Sequence, residues 1–251
     1  MTASKQLTIV GGGQLGMFLC QAAQRLDIRS QVVTSDETAP ATGMADSNIV
    51  SDYSAAGLAR RIAEYADVVT FEFEDVPDAL LAELESLEQA GEFVVWPAVA
   101  TLRLLKNKAR QKTWLAEQGI PTLPFSVEEA PAGKYAELVE RFGLPLVQKA
   151  QTGGYDGYGV QVLPEDASPE DLWPVPSVIE QYLEQPTELG VVVARSASGE
   201  MRAYPPVRMA FDHGLNILDA VVQPTGLSPA IDKQATELAT RVIDLLGGVG
   251  G

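Results

Sequence analysis

Only one cysteine, Cys20, and one histidine, His213, occur among the 251 residues. A lone thiol cannot close an intrachain disulfide. A lone histidine removes histidine-rich metal sites and leaves a Ser-His-Asp or Cys-His device without support. Cations are scarce as well. Lys and Arg total 18 against 34 Asp and Glu, a formal net charge of −16. General nucleic-acid binders and proteins that adhere to anionic membranes carry the opposite balance. The longest apolar runs fall well short of the ~18 residues of a membrane span. The opening segment MTASKQLTIVGGGQLG breaks its short apolar run with three glycines and offers no small-residue cleavage site, unlike a signal peptide. These absences predict a cytoplasmic chain with no nucleic-acid or membrane partner.

What is present is the composition of a folded globular protein, 46% hydrophobic and 21% charged. The length allows one large domain or two small ones. Cys20 lies within LGMFLCQAA, an apolar helical stretch, and reads as a packed core thiol. Over the first hundred residues short apolar strands (6–10, 29–34, 49–50, 67–73, 93–96) alternate with helical patterns (14–25, 55–65, 78–87). That alternation predicts a parallel sheet with helices on both faces. A long basic helix is predicted over 102–118, carrying Lys106, Lys108, Arg110 and Lys112. Strands are predicted at 145–149, 161–163, 177–183, 189–195, 201–210 and 216–222, and a closing helix from Pro229 to Leu246.

Two glycine-rich segments bear on function. Gly11-Gly12-Gly13-Gln14-Leu15-Gly16 places G-x-G-x-x-G between a strand and a helix. Glycines permit close approach of a ligand, and a helix N-terminus offers free N–H groups to a phosphate. Asp36 lies about twenty residues on, where a ribose-binding acid of a dinucleotide site could stand. Three readings stay open for this motif: NAD binding, another phosphate ligand, or close helix–strand packing alone.

The second segment runs from Lys149 through Thr152-Gly153-Gly154-Tyr155-Asp156-Gly157-Tyr158-Gly159. A strand ends in lysine and a glycine hairpin follows at once. Lysine is a point charge suited to phosphates, and a glycine loop can fold over them with its backbone N–H groups. A Walker A loop would need Gly-Lys-Ser/Thr at its end, which is absent. An ordinary glycine hairpin is the plainer alternative. Further on, Val178-Ile179-Glu180-Gln181-Tyr182-Leu183 could form an adenine slot, with Glu188 beyond it. Either acid alone is more simply a solvated strand-end carboxylate.

Together these residues resemble the ATP-grasp superfamily, and within it the N5-carboxyaminoimidazole ribonucleotide synthetases of purine biosynthesis. The matching segments are IVGGGQLGMFL (9–19), DVVTFEFEDV (67–76), KARQKTWLAEQGIPT (108–122), PLVQKAQTGGYDGYGVQV (145–162) and VIEQYLE (178–184). The resemblance implies an α/β fold: a doubly wound pre-ATP-grasp domain over 1–105, a linker helix and lid over 106–176, and an incomplete C-terminal part of an α+β ATP-grasp domain over 177–251. It implies ATP and Mg²⁺ as cofactors, bicarbonate and aminoimidazole ribonucleotide as substrates, and a homodimer. Lys108 and Lys149 match the phosphate-binding lysines. Gly153, Gly154, Gly157, Gly159 and Gln161 match the covering loop. Glu180, Gln181, Tyr182 and Leu183 match the adenine hinge, and Glu188 the ribose-binding acid. Tyr155 and Asp156 match loop residues that approach the aminoimidazole, Asp156 as the group that orients or deprotonates the amine. Gly13, Gln14, Leu15 and Glu74 match the ribonucleotide pocket.

The sequence departs from that pattern in two places. The family's metal-binding acids fall beyond Gly251, so no metal ligand is assigned in this chain. The resemblance therefore implies a C-terminally truncated ligase, with full catalysis not expected of these residues alone. Arg208 stands where relatives often carry Glu. Competing readings are an NAD-dependent oxidoreductase built on Gly11 to Gly16, another purine-pathway ligase such as the formate-dependent glycinamide ribonucleotide transformylase, and an ATP-binding remnant without turnover.

Overall fold

The computed structural model describes residues 5–153, 159–212 and 217–248. Two compact units divide between Arg103 and Leu104.

In the first unit five short strands lie side by side in one sheet: β1 (Gln6–Val10), β2 (Arg29–Thr34), β3 (Ser47–Val50), β4 (Val68–Phe71) and β5 (Val94–Val95). Their order is β3-β2-β1-β4-β5, with every pairing parallel. The helices α1 (Gln14–Arg25), α2 (Leu58–Ala63) and α3 (Asp78–Gln89) make the crossovers, and α4 (Val99–Leu105) follows the last strand. Alternate residues of each strand feed opposite faces. Val10, Val33, Ile49, Val69 and Val95 pack with Leu58, Ile62, Leu80, Leu81 and Leu84 on the α2–α3 side. Ile9 and Val32 pack with Cys20 and Ala41 on the α1 side. Cys20 is fully buried, as its apolar setting predicts. Because β1 is the central strand and the order reverses on either side of it, the crevice at the carboxyl ends of β1 and β4 is the topological switch point.

The second unit opens with α5 (Lys108–Glu117). The sequence predicts one helix over 102–118, but the structure has two. Asn107 breaks it: its side chain accepts a hydrogen bond from the Arg110 N–H at 2.9 Å and caps a fresh helix. The capping oxygen satisfies a donor that a helix start leaves free. Two elements absent from the sequence reading follow, β6 (Phe125–Glu128) and α6 (Tyr135–Phe142). Then come β7 (Leu146–Ala150), β8 (Val160–Leu163) and β9 (Ser177–Gln181). These strands form an antiparallel sheet in the order β6-β9-β7-β8. Strand β9 pairs with both β6 and β7, so the sheet runs from Phe125 through Gln181.

The two faces of that sheet differ. Leu146, Leu163 and Ile179 pack with Leu138 of α6 and with Leu172. Gln148 points to the same side and is fully buried. Its amide nitrogen donates to the Trp173 carbonyl (3.1 Å) and the Ser177 hydroxyl (2.8 Å). Its amide oxygen accepts from the Trp173 N–H (2.9 Å) and from the Gln161 side chain (2.6 Å). A buried amide with both ends satisfied carries little desolvation penalty. The other face carries Phe125, Val147, Lys149 and Glu180, with Glu180 in register between Phe125 and Val147.

Beyond β9 the chain builds β10 (Glu188–Gly190), β11 (Val193–Arg195), β12 (Met201–Ala203), β13 (Val207–Asp212), β14 (Ile217–Val222) and α7 (Pro229–Leu246). The sequence predicts single strands over 189–195 and 201–210. Each is divided between two sheets, β10-β13-β14 and β11-β12. Pro205 and Pro206 separate β12 from β13; prolines donate no ladder hydrogen bond. Helix α7 starts at Pro229 as predicted, with the Ser228 hydroxyl accepting from the Ile231 N–H.

Candidate functional site

In the first unit the switch-point crevice holds Gly11 to Gly13 at the end of β1 and Glu72 just past β4. Gly11 has a φ of +124°, a conformation that favours glycine. A Cβ on Gly11 would come 2.4 Å from a Glu72 carboxylate oxygen, and one on Gly13 equally close to the other. The Gly13 N–H donates to Glu72 Oε2 at 3.3 Å. Gly16 serves packing: its Cβ would sit 2.9 Å from the Gly11 carbonyl oxygen. In the dinucleotide reading of this motif, Glu72 stands where the diphosphate would come. A diphosphate at the Gly13 N–H would lie against a carboxylate, and two like charges at that range repel. Asp36 is exposed, and its Oδ1 accepts from the Thr38 N–H and hydroxyl. Gln14 and Leu15 are exposed beside the crevice, Leu15 by 61%. Glu74 is exposed, and it is Glu72 that reaches the glycine loop. The sequence gives a hint for Glu72 in the alternation of TFEFE, which puts Glu72 and Glu74 on one side and leaves the choice between them to the end of β4.

In the second unit Lys149 is the fourth residue of β7, beside the glycine segment. The Ala150 N–H donates to the Gly159 carbonyl at 2.8 Å and draws the two ends of that segment together. Gly153 and Gly159 both have positive φ, 75° and 79°, a reason for glycine at each. Gly154, Tyr155, Asp156 and Gly157 lie outside the described residues, as does His213. Lys108 is the first residue of α5, and its backbone N–H donates to the Gln151 carbonyl at 2.8 Å. That bond fastens the basic helix to the start of the glycine segment. The Gln161 side chain is spoken for: its amide nitrogen donates to Gln148 and to the Asp171 carbonyl.

Glu180 is the centre of this face. It is 2% exposed. Lys149 Nζ lies 3.0 Å from its Oε2, and Lys112 Nζ lies 3.1 Å from its Oε1. Lys112 Nζ also stands 5.4 Å from the centre of the Phe125 ring, a favourable cation–π distance. The Lys149 side chain keeps 32% of its surface exposed, against 13% for Lys112. So the site holds two cations for one buried anion, and the more accessible cation is next to the glycine segment. A glutamate assigned from sequence to a hinge thus proves to have its carboxylate inside an ion-pair cluster. The sequence reading names Lys112 only as one cation of the basic helix and does not assign it to the site. Its signal was there: Lys112 follows Lys108 by four residues, which places both on one face of a helix.

After Glu180 the chain turns outward. Gln181 and Leu183 are exposed and Tyr182 is half-buried. Glu188 begins β10 and is exposed, in register with Met209. Arg208 is exposed on β13, opposite Leu189. Among the described residues, no group of three or more His, Cys, Asp or Glu gathers as a metal site. No described helix is long and apolar enough to cross a membrane.

A parallel switch-point unit is thus followed by an antiparallel sheet whose open face carries Lys149 and Glu180. This chain belongs to the ATP-grasp family: the ATP-grasp domain model matches residues 113–251, and the ribonucleotide synthetase preATP-grasp domain model matches residues 4–106. It is similar to the N5-carboxyaminoimidazole ribonucleotide synthase of Bacillus subtilis, 29% identical over 96% of this chain and 63% of the relative. The synthase of Synechococcus elongatus is 32% identical over 96% of this chain and 60% of the relative. Among solved structures, the N5-carboxyaminoimidazole synthase of Aspergillus clavatus, in complex with ADP and 5-aminoimidazole ribonucleotide, superposes with a TM-score of 0.83 at 28% identity. That match covers 100% of this chain and 64% of the other. The chain therefore spans rather less than two thirds of the length of these relatives.

Proposed function

We propose that this chain is the nucleotide-binding part of an ATP- and bicarbonate-dependent carbon–nitrogen ligase that carboxylates 5-aminoimidazole ribonucleotide to its N5-carboxy derivative, releasing ADP and phosphate. The observation that carries the reading is the excess cation at Glu180. A protein of net charge −16 holds two lysines against one buried carboxylate, and Lys149 is left partly exposed beside a glycine segment. Such a cation suits a polyphosphate. Relatives named as synthases of this product, and a relative crystallised with ADP and the aminoimidazole ribonucleotide, support the substrate assignment.

In this reading Lys108 and Lys149 meet the phosphates. The segment 153–159 covers them and limits the access of water. The backbone at Gln181 to Leu183 meets the adenine and Glu188 the ribose. Tyr155 and Asp156 approach the amine. Gly13, Gln14, Leu15 and Glu74 serve the ribonucleotide. The division into a pre-ATP-grasp part, a lid and a partial ATP-grasp part belongs to the same proposal, as do Mg²⁺ dependence, a homodimer, a cytoplasmic setting and the absence of nucleic-acid or membrane partners. The described acids form no cluster fit for Mg²⁺.

The test is ADP release by the 251-residue chain with Mg-ATP and bicarbonate, with and without the aminoimidazole ribonucleotide, alongside calorimetric ATP binding. Ribonucleotide-dependent release is expected of a competent ligase. Binding without release makes the chain an ATP-binding part only. Failure to bind ATP overturns the proposal.

A further inference from the structure

The Glu180 carboxylate is shared in an unequal way. Lys112 approaches one oxygen from α5, is nearly enclosed and rests over Phe125. Lys149 approaches the other oxygen from β7 and is more than twice as exposed. Consider what happens if Lys149 turns toward a phosphate. Without another cation, the buried Glu180 would be left unpaired, and a lone charge in such a site is strongly unfavourable. Lysine would then stay on the glutamate. With Lys112 in place, Glu180 keeps a charge-assisted partner while Lys149 leaves.

We infer that Lys112 is a positioning residue for the phosphate-binding lysine: it acts as the resident counter-ion of Glu180 and so releases Lys149 to a nucleotide's polyphosphate. The inference rests on the nucleotide-binding reading above. Lys112 itself need not touch the ligand. Its helix position supports this role, because it stands one turn inside α5 from Lys108, whose backbone is fixed to Gln151. The counter-ion is therefore carried on an element tied to the glycine segment.

The experiment measures calorimetric affinities of ADP and adenosine for four proteins: the wild type, Lys112→Met, Lys112→Arg and the double variant Lys112→Met/Glu180→Gln. Thermal unfolding is recorded for each. Lys112→Met keeps the Phe125 contact apolar and leaves Glu180 paired with Lys149, so it should fold. It should weaken ADP by about tenfold or more, the loss of one charge-assisted contact. Adenosine, which lacks phosphate, should change by less than about threefold. Lys112→Arg should stay near wild type. The double variant removes the charge that retains Lys149 and should recover most of the ADP affinity. A merely structural Lys112 would give equal losses for ADP and adenosine and no recovery in the double variant; either result overturns the inference while leaving the nucleotide reading intact. No ADP binding by the wild type overturns both.

Discussion

The Gly13 N–H and the Glu72 carboxylate, 3.3 Å apart, join the end of β1 to the end of β4 across the switch point. The glycine pattern 11–16 is therefore built around a resident anion. Gly16→Ala tests the packing half of this arrangement. Its new methyl would press on the Gly11 carbonyl, a backbone atom that cannot swing aside. A loss of about 1–3 kcal/mol is expected, the usual cost of overpacking, read as a lower urea midpoint with an unchanged m-value. Gly43→Ala is the control, since a Cβ there meets nothing within 4 Å.

Lys149→Ala should lower the affinity for ATP by about 10- to 100-fold, the range of a charge-assisted hydrogen bond. The fold should persist, because Lys112 still pairs with Glu180. Isothermal calorimetry and a melting curve check both statements. An unchanged ATP affinity would rule out the phosphate role of Lys149.

Cys20 is buried against Ile9, Val32 and Ala41, and burial pushes its thiol above the ordinary value. Thiolate is the reactive form, so two effects act together against modification. A disulfide reagent should label the native chain only at the rate of unfolding and the urea-unfolded chain at once. Rapid stoichiometric labelling of the native chain would contradict the packed-thiol reading.

Glu128 gives a pH dependence. Burial alone would raise its carboxyl, but hydrogen bonds from Lys134 and Ser126 and the charges of Lys134 and Arg141 outweigh burial and hold it below the usual value of 4.5. Lys134 Nζ lies 2.8 Å away and is raised in turn by the Glu128 hydrogen bond and charge. A lowered acid stabilises above its unfolded pKa and loses that contribution as pH falls through the folded one. A raised lysine holds its contribution below its unfolded pKa and loses it as pH climbs through the folded one. The pair therefore helps through the neutral range and fades at both extremes. Glu128→Gln should melt below wild type at pH 7, and the gap should close toward pH 3. A gap that persists in acid would assign the effect to packing instead of charge.

Much of the first unit is legible in the sequence because its strands are apolar runs and its crossovers carry a helical period. Lys149 is legible too, as a lysine at a strand end before glycines. The ion pairing of Lys112 with Glu180 is not. Their meeting depends on β9 pairing between β6 and β7, and β6 gave no strong sequence signal: FSVE is short and ends in two charges with Glu129. The break at Asn107 was hidden for a different reason. The residues on both sides are good helix formers, and only the cap oxygen decides that a second helix starts there. Glu72 was missed because a strand's alternation assigns a side but not the residue at which the strand ends.

Gln148 and Lys149 are neighbours on β7 that face opposite sides of one sheet. The Gln148 amide reaches β8, β9 and the Trp173 backbone. A slip of β7 by one residue would bury the ammonium among leucines and strand the amide on the open face. The glutamine network thus works as a keyway for the strand. It admits only the alignment in which the lysine faces Glu180, and a polar contact remote from any ligand becomes the guardian of where the charge points.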